Sequence, residues 1–328
     1  MRAWLGGIVP AGNWTIEAAS ADASFRRYFR IVFPGGDESR IVMDAPPDKE
    51  DCRPFVHVAG LLRQAGLNAP VVLAQDLAQG FLLLTDLGKT TYLDALNADD
   101  TKADELIRDA IEALIGWQFA SRPDVLPRYD EALLRRELEL FPDWYLARHL
   151  NLKISDEQRQ VLQQAFALIL ASNLAQPAVY VHRDYMPRNL MLSAPNPGIL
   201  DFQDAVYGPI TYDIASLLRD AFISWEEERA LDWVVRYWER ARRAGLPVQA
   251  DFGDFYRDME WMGLQRHLKV LGIFARIHYR DGKPGYLADT PRFVRYVRSV
   301  SERYNALAPL ARLFDELENK QAETGQPF

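Results

Sequence analysis

The sequence predicts an α+β fold of two lobes, a small β-rich lobe over residues 1–88 and a larger, mainly helical lobe over residues 89–328. Three observations predict it. At 328 residues the chain is too long for one hydrophobic core and long enough for two. Up to Gly88 the apolar residues come in short runs broken by turn-forming residues, the pattern of strands. From Thr90 they recur at helical spacing, with one interruption between Val179 and Asp204.

In the first lobe, "WTIEAAS", "SFRRYFRIVF" and "SRIVMDAP" read as strands separated by "ADA" and by the turn "PGGDE". A helix is expected from about Cys52 to Gly66, with Phe55, Val58, Leu61 and Leu62 on one face and Gly66 as its stop. "APVVLAQD" and "GFLLLTDLG" then form two more strands around "LAQG", which makes five strands and one helix by Gly88. In the second lobe "TYLDAL", Asp99 to Ala120, Tyr129 to Arg148 and Asp156 to Ala171 are helical by period, with Pro142 kinking or breaking the third. Helices return after Tyr212 and run to about Leu317, and the polar tail "ENKQAETGQPF" is expected to fray. The leading "MRAWLGGIVPAG" is interrupted by Gly6, Gly7 and Pro10 and is read as part of the fold, not as a signal.

Composition narrows the function. A hydrophobic share of 48% and a charged share of 26% are ordinary for a globular protein. The net charge of −8 argues against nucleic acid or an anionic membrane as the main partner. No run approaches the roughly 18 apolar residues of a membrane span. Cys52, the single cysteine, allows no intrachain disulfide and is read as a small buried hydrophobe. A cytoplasmic monomer acting on a small molecule is the expectation.

The interruption, "VYVHRDYMPRNLMLSAPNPGILDFQD", carries the chemistry. "VYV" is a short apolar strand, His182-Arg183-Asp184 follow where a turn would begin, and Asn189 lies five residues beyond Asp184. "NLML" resumes the apolar character, "SAPNPG" turns, and "GIL" leads into Asp201, a hairpin-like arrangement with an acid leaving each limb. Asp201 and Asn189 offer hard oxygen ligands suited to Mg²⁺, and Asp184 can accept or orient a hydroxyl proton. Asp and Asn are also ordinary turn residues. What sets this stretch apart is the spacing H-x-D-x-x-x-x-N, then a turn, then an apolar triplet ending in Asp, which is that of the catalytic and metal loops of kinases.

On these motifs, with "LLLTDLG" as hinge and "GPITYDIASLLRD" after the metal loop, the chain resembles the aminoglycoside phosphotransferase-like kinases along nearly its whole length. The resemblance implies a two-lobed protein-kinase-like fold and the use of ATP and Mg²⁺. It implies Asp184 as the catalytic base or hydroxyl orienter, Asn189 and Asp201 as metal ligands, and backbone groups near Thr85, Asp86 and Leu87 at the adenine edge. Asp213 would anchor the catalytic loop, and Asp204 is an acid behind the metal or a turn residue. His182 is read as a packed loop residue and Arg183 as the partner of a local acid.

Two departures from the pattern stand out. The third strand reads "SRIVMDAPP", with Met43 and Asp44 where the family carries a lysine, and the helix after it lacks the partner Glu. Arg26, Arg27, Arg30 and Lys49 are the candidates for a replacement phosphate clamp, and alternation along a strand would turn Arg26 and Arg30, or Arg27 alone, one way. No Gly-rich phosphate loop is present, and "ASADASF" must serve. Only eleven residues separate Asp201 from Asp213, too few for a long regulatory loop.

For the acceptor, the helical lobe offers Trp225, Trp233, Trp238, Trp261, Phe255, Tyr256 and Phe274, most of them core by spacing, and a run of basic residues. At finer grain "DASFRRYFR", "MDAPPDKEDCRPF", "ELELFPDWYLARHL" and "LQRHLKVLGIFARI" resemble bacterial anomeric amino-sugar kinases, which act on N-acetylmuramate and N-acetylglucosamine in cell-wall recycling. That resemblance implies Glu137, Glu139 and Asp143 as acceptors of sugar hydroxyls and Arg266 or Arg276 as the site of a lactyl carboxylate. The alternatives are an aminoglycoside or other small-hydroxyl phosphotransferase of the same fold, and a non-catalytic kinase-like binding module.

Overall fold

The computed structural model describes residues 1–9, 13–21, 25–35 and 38–324. It divides into two compact units, one of residues 1–117 and 187–205, the other of residues 118–186 and 206–328.

The first unit opens with α1 (Arg2–Gly6) and a sheet of β1 (Thr15–Ala21), β2 (Arg27–Val32) and β3 (Ser39–Asp44). Helix α2 (Arg53–Gln64) follows, then β4 (Val72–Asp76) and β5 (Phe81–Thr85). The sheet order is β1-β2-β3-β5-β4, antiparallel throughout. All five strands fall where the apolar runs put them. The α1 helix is an addition to the expectation. Leu5 and Val9 pack with Ile31, Val42 and Leu83 on the sheet, so this amphipathic turn covers a face that five short strands cannot bury alone. Gly66 ends the α2 segment at φ +76°, a conformation that glycine adopts without the steric cost of a Cβ. Of the turn "PGGDE", residues 36–37 lie outside the described residues, as do residues 22–24 of "ASADASF".

The same unit contains α3 (Tyr92–Ala98), whose Thr91 and Asp94 form a capping box, and most of α4 (Ala103–Phe119). The change from strands to helices comes after Thr85, near the expected residue 88. The compact unit nevertheless extends to Trp117, because α3 stays with the sheet side, where Thr91 bridges to Met191.

The second unit runs through α5 (Glu131–Leu138), a π-helical stretch over Phe141–His149, α6 (Asp156–Ala175) and β6 (Ala178–Val181). The helix expected from Tyr129 to Arg148 is therefore two pieces, broken next to Pro142, whose ring cannot sit in a helix interior. The chain then passes into the first unit for β7 (Leu190–Met191) and β8 (Gly198–Ile199) and returns for β9 (Val206–Pro209). Helices α7 (Tyr212–Leu218), α8 (Glu227–Arg243), α9 (Phe252–Asp281), α10 (Thr290–Arg303) and α11 (Ala308–Thr324) complete it. The last helix continues seven residues beyond Leu317, so the backbone of 318–324 is helical where fraying was expected.

Helix α9 is the centre of this unit. Residues Asp258 to Gly272 are buried all round, so a polar stripe is absent and the charged residues among them need internal partners. Gly272 lets the π-helical segment approach, since a Cβ there would lie 2.3 Å from the Leu140 carbonyl carbon. Most of the aromatics expected in the core are there: Trp233, Phe255, Trp261 and Phe274 are all buried.

Candidate active site

In the second unit, β6 pairs with β9 in antiparallel register, Tyr180 opposite Tyr207. The expected single hairpin is thus two separate pairings, β6 with β9 and β7 with β8. The apolar residues Val179 to Val181 are buried and fix where the loop begins. His182 is buried, accepts the Asp184 backbone N–H at Nδ1 (3.3 Å) and packs edge-on against Tyr185. Arg183 takes φ +76°, a left-handed conformation that costs a residue with a Cβ about 1–2 kcal/mol.

Asp213, at the start of α7 and fully buried, holds that conformation. Its carboxylate accepts the backbone N–H of His182 (2.7 Å) and of Arg183 (3.0 Å), the anchoring role that the resemblance implies. Burial pushes its pKa up to about 7 and the Asp184 charge adds to the rise, while the two N–H donors and Arg266 pull against it.

The Arg183 side chain meets the acid expected of it. Its Nη2 donates to Glu137 (2.5 Å), and its guanidinium lies over the Tyr129 ring. Glu137 is 6% exposed and also meets Lys269 Nζ (3.1 Å) and the Tyr129 hydroxyl. Burial acts to raise the Glu137 carboxyl, but Lys269 and Arg183 outweigh it and hold its pKa at about 2. Lys269 donates as well to the Tyr212 hydroxyl (3.0 Å). Two ion pairs on Glu137 and the Lys269–Tyr212 hydrogen bond thus tie α5, α7 and α9 to the loop that bears Asp184.

In the first unit, the β7–β8 hairpin carries Asn189 at one end and Asp201 just past the other. Leu200 N–H donates to the Asn189 carbonyl (2.9 Å), which brings the two side chains together. Asn189 Nδ2 lies 3.3 Å from Asp201 Oδ2, and Gln203 Nε2 donates to Asp201 Oδ1 (2.8 Å). Asp201 adopts φ +60°, which aspartate tolerates better than most residues. Gln203 is 8% exposed, and its Oε1 is buried with no hydrogen-bond partner among the described residues. A carboxylate, a neighbouring amide and an unsatisfied amide oxygen form a hard-oxygen donor set that fits Mg²⁺.

The N-terminal cations are placed unequally. Arg30 is buried and grips Asp86 with two bonds, Nε to Oδ2 (2.5 Å) and Nη2 to Oδ1 (3.1 Å), and donates to the Gly88 carbonyl (2.8 Å). Ser39 Oγ donates to the same carboxylate (2.7 Å). Burial would raise the Asp86 pKa, but these donors lower it. Arg27, largely exposed, pairs with Asp44 (2.5 Å). Lys49 is exposed near Asp48 and over the Phe25 ring, and Arg26 is half-buried. Thr85 caps the strand edge by accepting the Val71 N–H at its hydroxyl (2.9 Å), and Leu87 is half-buried beside it.

The comparisons with known proteins agree with this chemistry. Residues 15–248 match the phosphotransferase enzyme family known as APH. The chain belongs to that family. N-acetylmuramate/N-acetylglucosamine kinase from Pseudomonas putida is 56% identical over 317 residues, covering 97% of this chain and 91% of its own. The kinase of the same name from Pseudomonas aeruginosa is 54% identical over 327 residues, covering 97% and 96%. Among solved structures, the ADP-bound aminoglycoside phosphotransferase APH(2'')-Ib aligns with a TM-score of 0.57 at 13% identity, over 90% of this chain and 96% of that one. The fold is α+β, two-lobed and protein-kinase-like.

For this APH phosphotransferase the remaining candidates divide by environment. Glu139 accepts from Gln163 Nε2 (2.8 Å) and is half-buried, and Asp143 is exposed in the first turn of the π-helical stretch. Arg266 is 3% exposed, with Met186 Sδ at 4.0 Å from Nη2. Arg276 is half-buried, and its Nε has no hydrogen-bond partner among the described residues. The tie between Arg30 and Asp86, the pairing of Glu137 with Lys269 and the contact of Gln203 with Asp201 were missed in the sequence. Only the Asp86 partner left a trace there, as a lone acid closing the apolar run "FLLLTD".

Proposed function

We propose that this chain is an ATP-dependent kinase that phosphorylates the anomeric hydroxyl of N-acetylmuramate and N-acetylglucosamine, giving the sugar 1-phosphate for reuse of cell-wall sugars in the cytoplasm. The observation that carries the reading is identity above one half, over nearly the full length, to two kinases of that name. The loops that hold Asp184, Asn189 and Asp201 support it with the residue types that phosphoryl transfer needs.

In this reading Asp184 orients the acceptor hydroxyl and takes its proton as the oxygen attacks. Asn189 and Asp201 hold Mg²⁺, helped by Gln203; when bound, the ion supplies charge neutralisation for the phosphate oxygens. Backbone groups at Thr85, Asp86 and Leu87 receive the adenine edge, and Arg30 keeps that segment in place by gripping Asp86. Arg27, with Arg26 and Lys49, is left to meet phosphate, because the Arg27 side chain is largely exposed although it pairs with the buried Asp44. Glu139 and Asp143 take sugar hydroxyls, and Arg276 takes the lactyl carboxylate. Glu137 supports the catalytic loop in place of touching sugar. The protein acts as a monomer.

A coupled assay of ATP consumption on the free sugars tests this. Both free sugars should be turned over and the 1-O-methyl glycosides should not, and a chelator should abolish turnover until Mg²⁺ is restored. Equal turnover of the 1-blocked sugars would reject the anomeric assignment.

A further inference from the structure

The loop that bears Asp184 turns at Arg183, and two anchors hold that left-handed residue. Asp213 on α7 accepts its backbone N–H (3.0 Å) and that of His182 (2.7 Å). Glu137 on α5 accepts its guanidinium (2.5 Å). Lys269 on α9 reaches toward both anchors. Its Nζ lies 3.1 Å from Glu137 Oε1 and donates to the hydroxyl of Tyr212 (3.0 Å), the residue just before Asp213. All of these residues belong to the second unit.

Charge neutralisation alone does not explain this lysine. It is 6% exposed, and an ammonium group is costly to bury. Glu137 already has a cation in Arg183, at closer range. Its Oε1 meets Arg183 and Lys269, while its Oε2 accepts from the Tyr129 hydroxyl and from Gln265 Nε2 (3.3 Å). Four donors fill the sites that a carboxylate offers, so its orientation is fixed. Burial acts to lower the Lys269 pKa, but Glu137 leads the opposing pull and leaves it above the ordinary lysine value, so the ammonium stays charged. A buried ion pair adds little stability over apolar groups of the same shape, and its best-attested use is to select one arrangement.

We infer that Lys269 is a positioning residue for the phosphoryl transfer proposed above: braced on the Tyr212 hydroxyl, it holds the Glu137 carboxylate toward Arg183 and so keeps the loop that carries Asp184 in its working geometry. The inference rests on that proposed reaction, and it assigns Lys269 no contact with ATP or sugar. Without the lysine, Oε1 keeps Arg183 but loses the donor that fixes the carboxylate from the α9 side. The Arg183 backbone then depends more heavily on Asp213. A displacement of about 1 Å at a reacting group is enough to cost about 10²-fold in rate.

The test compares Lys269→Met, which keeps the length of the side chain without its charge, with the wild-type chain in two measurements. Thermal unfolding checks that both are folded. The first is hydrogen exchange of backbone amides. Exchange at residues 182–184 should become about tenfold faster, with α5 and α9 unchanged. The second is steady-state kinetics. The variant should lose about tenfold to a hundredfold in kcat, with KM for ATP and for both sugars unchanged. If Lys269→Met does not fold, Lys269→Gln is read by the same criteria. Unchanged exchange at residues 182–184 would overturn the inference. Exchange that rises equally through α5 and α9 would overturn it too, as the mark of a loosened core. A rise in KM for a sugar at constant kcat would make Lys269 a substrate contact instead. If the wild-type chain phosphorylates neither sugar, the proposed reaction fails, while the exchange measurement still decides whether Lys269 holds the loop.

Discussion

Under the proposed reaction, Asp184 and Asp201 contribute through different atoms. Asp184→Ala removes the group that handles the hydroxyl proton, and kcat should fall about 10²- to 10⁴-fold. Asp201→Ala should fall as far, but added Mg²⁺ should recover part of its rate and none of that of Asp184→Ala. Titration of the two variants with metal in the coupled assay checks this, and an unchanged rate in Asp184→Ala would refute the catalytic assignment. Both acids were singled out in the sequence because they stand at the spacing of kinase catalytic and metal loops within one short segment. The partners that hold them were not. Lys269 reads only as one of a run of basic residues on the acceptor side, and Glu137 reads as a possible sugar ligand until its neighbours are seen.

At the scale of elements, two contacts do the most to set the geometry. The first is the approach of α9 to the backbone at Leu140. Gly272→Ala would bring a Cβ to 2.3 Å from the Leu140 carbonyl carbon and 2.4 Å from its oxygen, so one segment must shift. Overpacking of this kind costs about 1–3 kcal/mol, read as a lower urea midpoint with an unchanged slope. The second is the tie from β2 to the segment after β5. Arg30→Met leaves Asp86 buried without its cation, which costs about 3–5 kcal/mol. Because Thr85 to Leu87 are proposed to receive adenine, KM for ATP should rise while KM for the sugars holds. A variant with both constants unchanged would remove Arg30 from any role at the hinge. Strand positions and the break at Pro142 were read correctly since alternation and a proline are local signals, whereas the π-helical form of the segment after the break was not read.

For the molecule as a whole, the buried acids set the pH dependence of stability in opposite directions. Glu137 sits below its ordinary 4.5, at about 2, so the stability it contributes is present above 4.5 and is lost as pH falls through 2. Asp213 sits above its ordinary 3.8, at about 7, so the fold favours its protonated form and loses stability from this group as pH rises from 3.8 through 7. Glu137→Gln should therefore destabilise by about 3–5 kcal/mol at neutral pH and by progressively less in acid, as urea unfolding at a series of pH values would show. A loss that is constant with pH would mean that its charge is not what matters. By itself the sequence determined the two-lobed α+β fold, the five strands of the first unit and the short segment that holds Asp184, Asn189 and Asp201. Each of those is written in local periodicity or in short spacing along the chain. Only the tertiary structure decided which cation answers which acid: Arg30 for Asp86, Arg183 and Lys269 for Glu137. Those partners are brought together by packing across tens of residues, and desolvation gives their pairing its strength, so no local pattern records them.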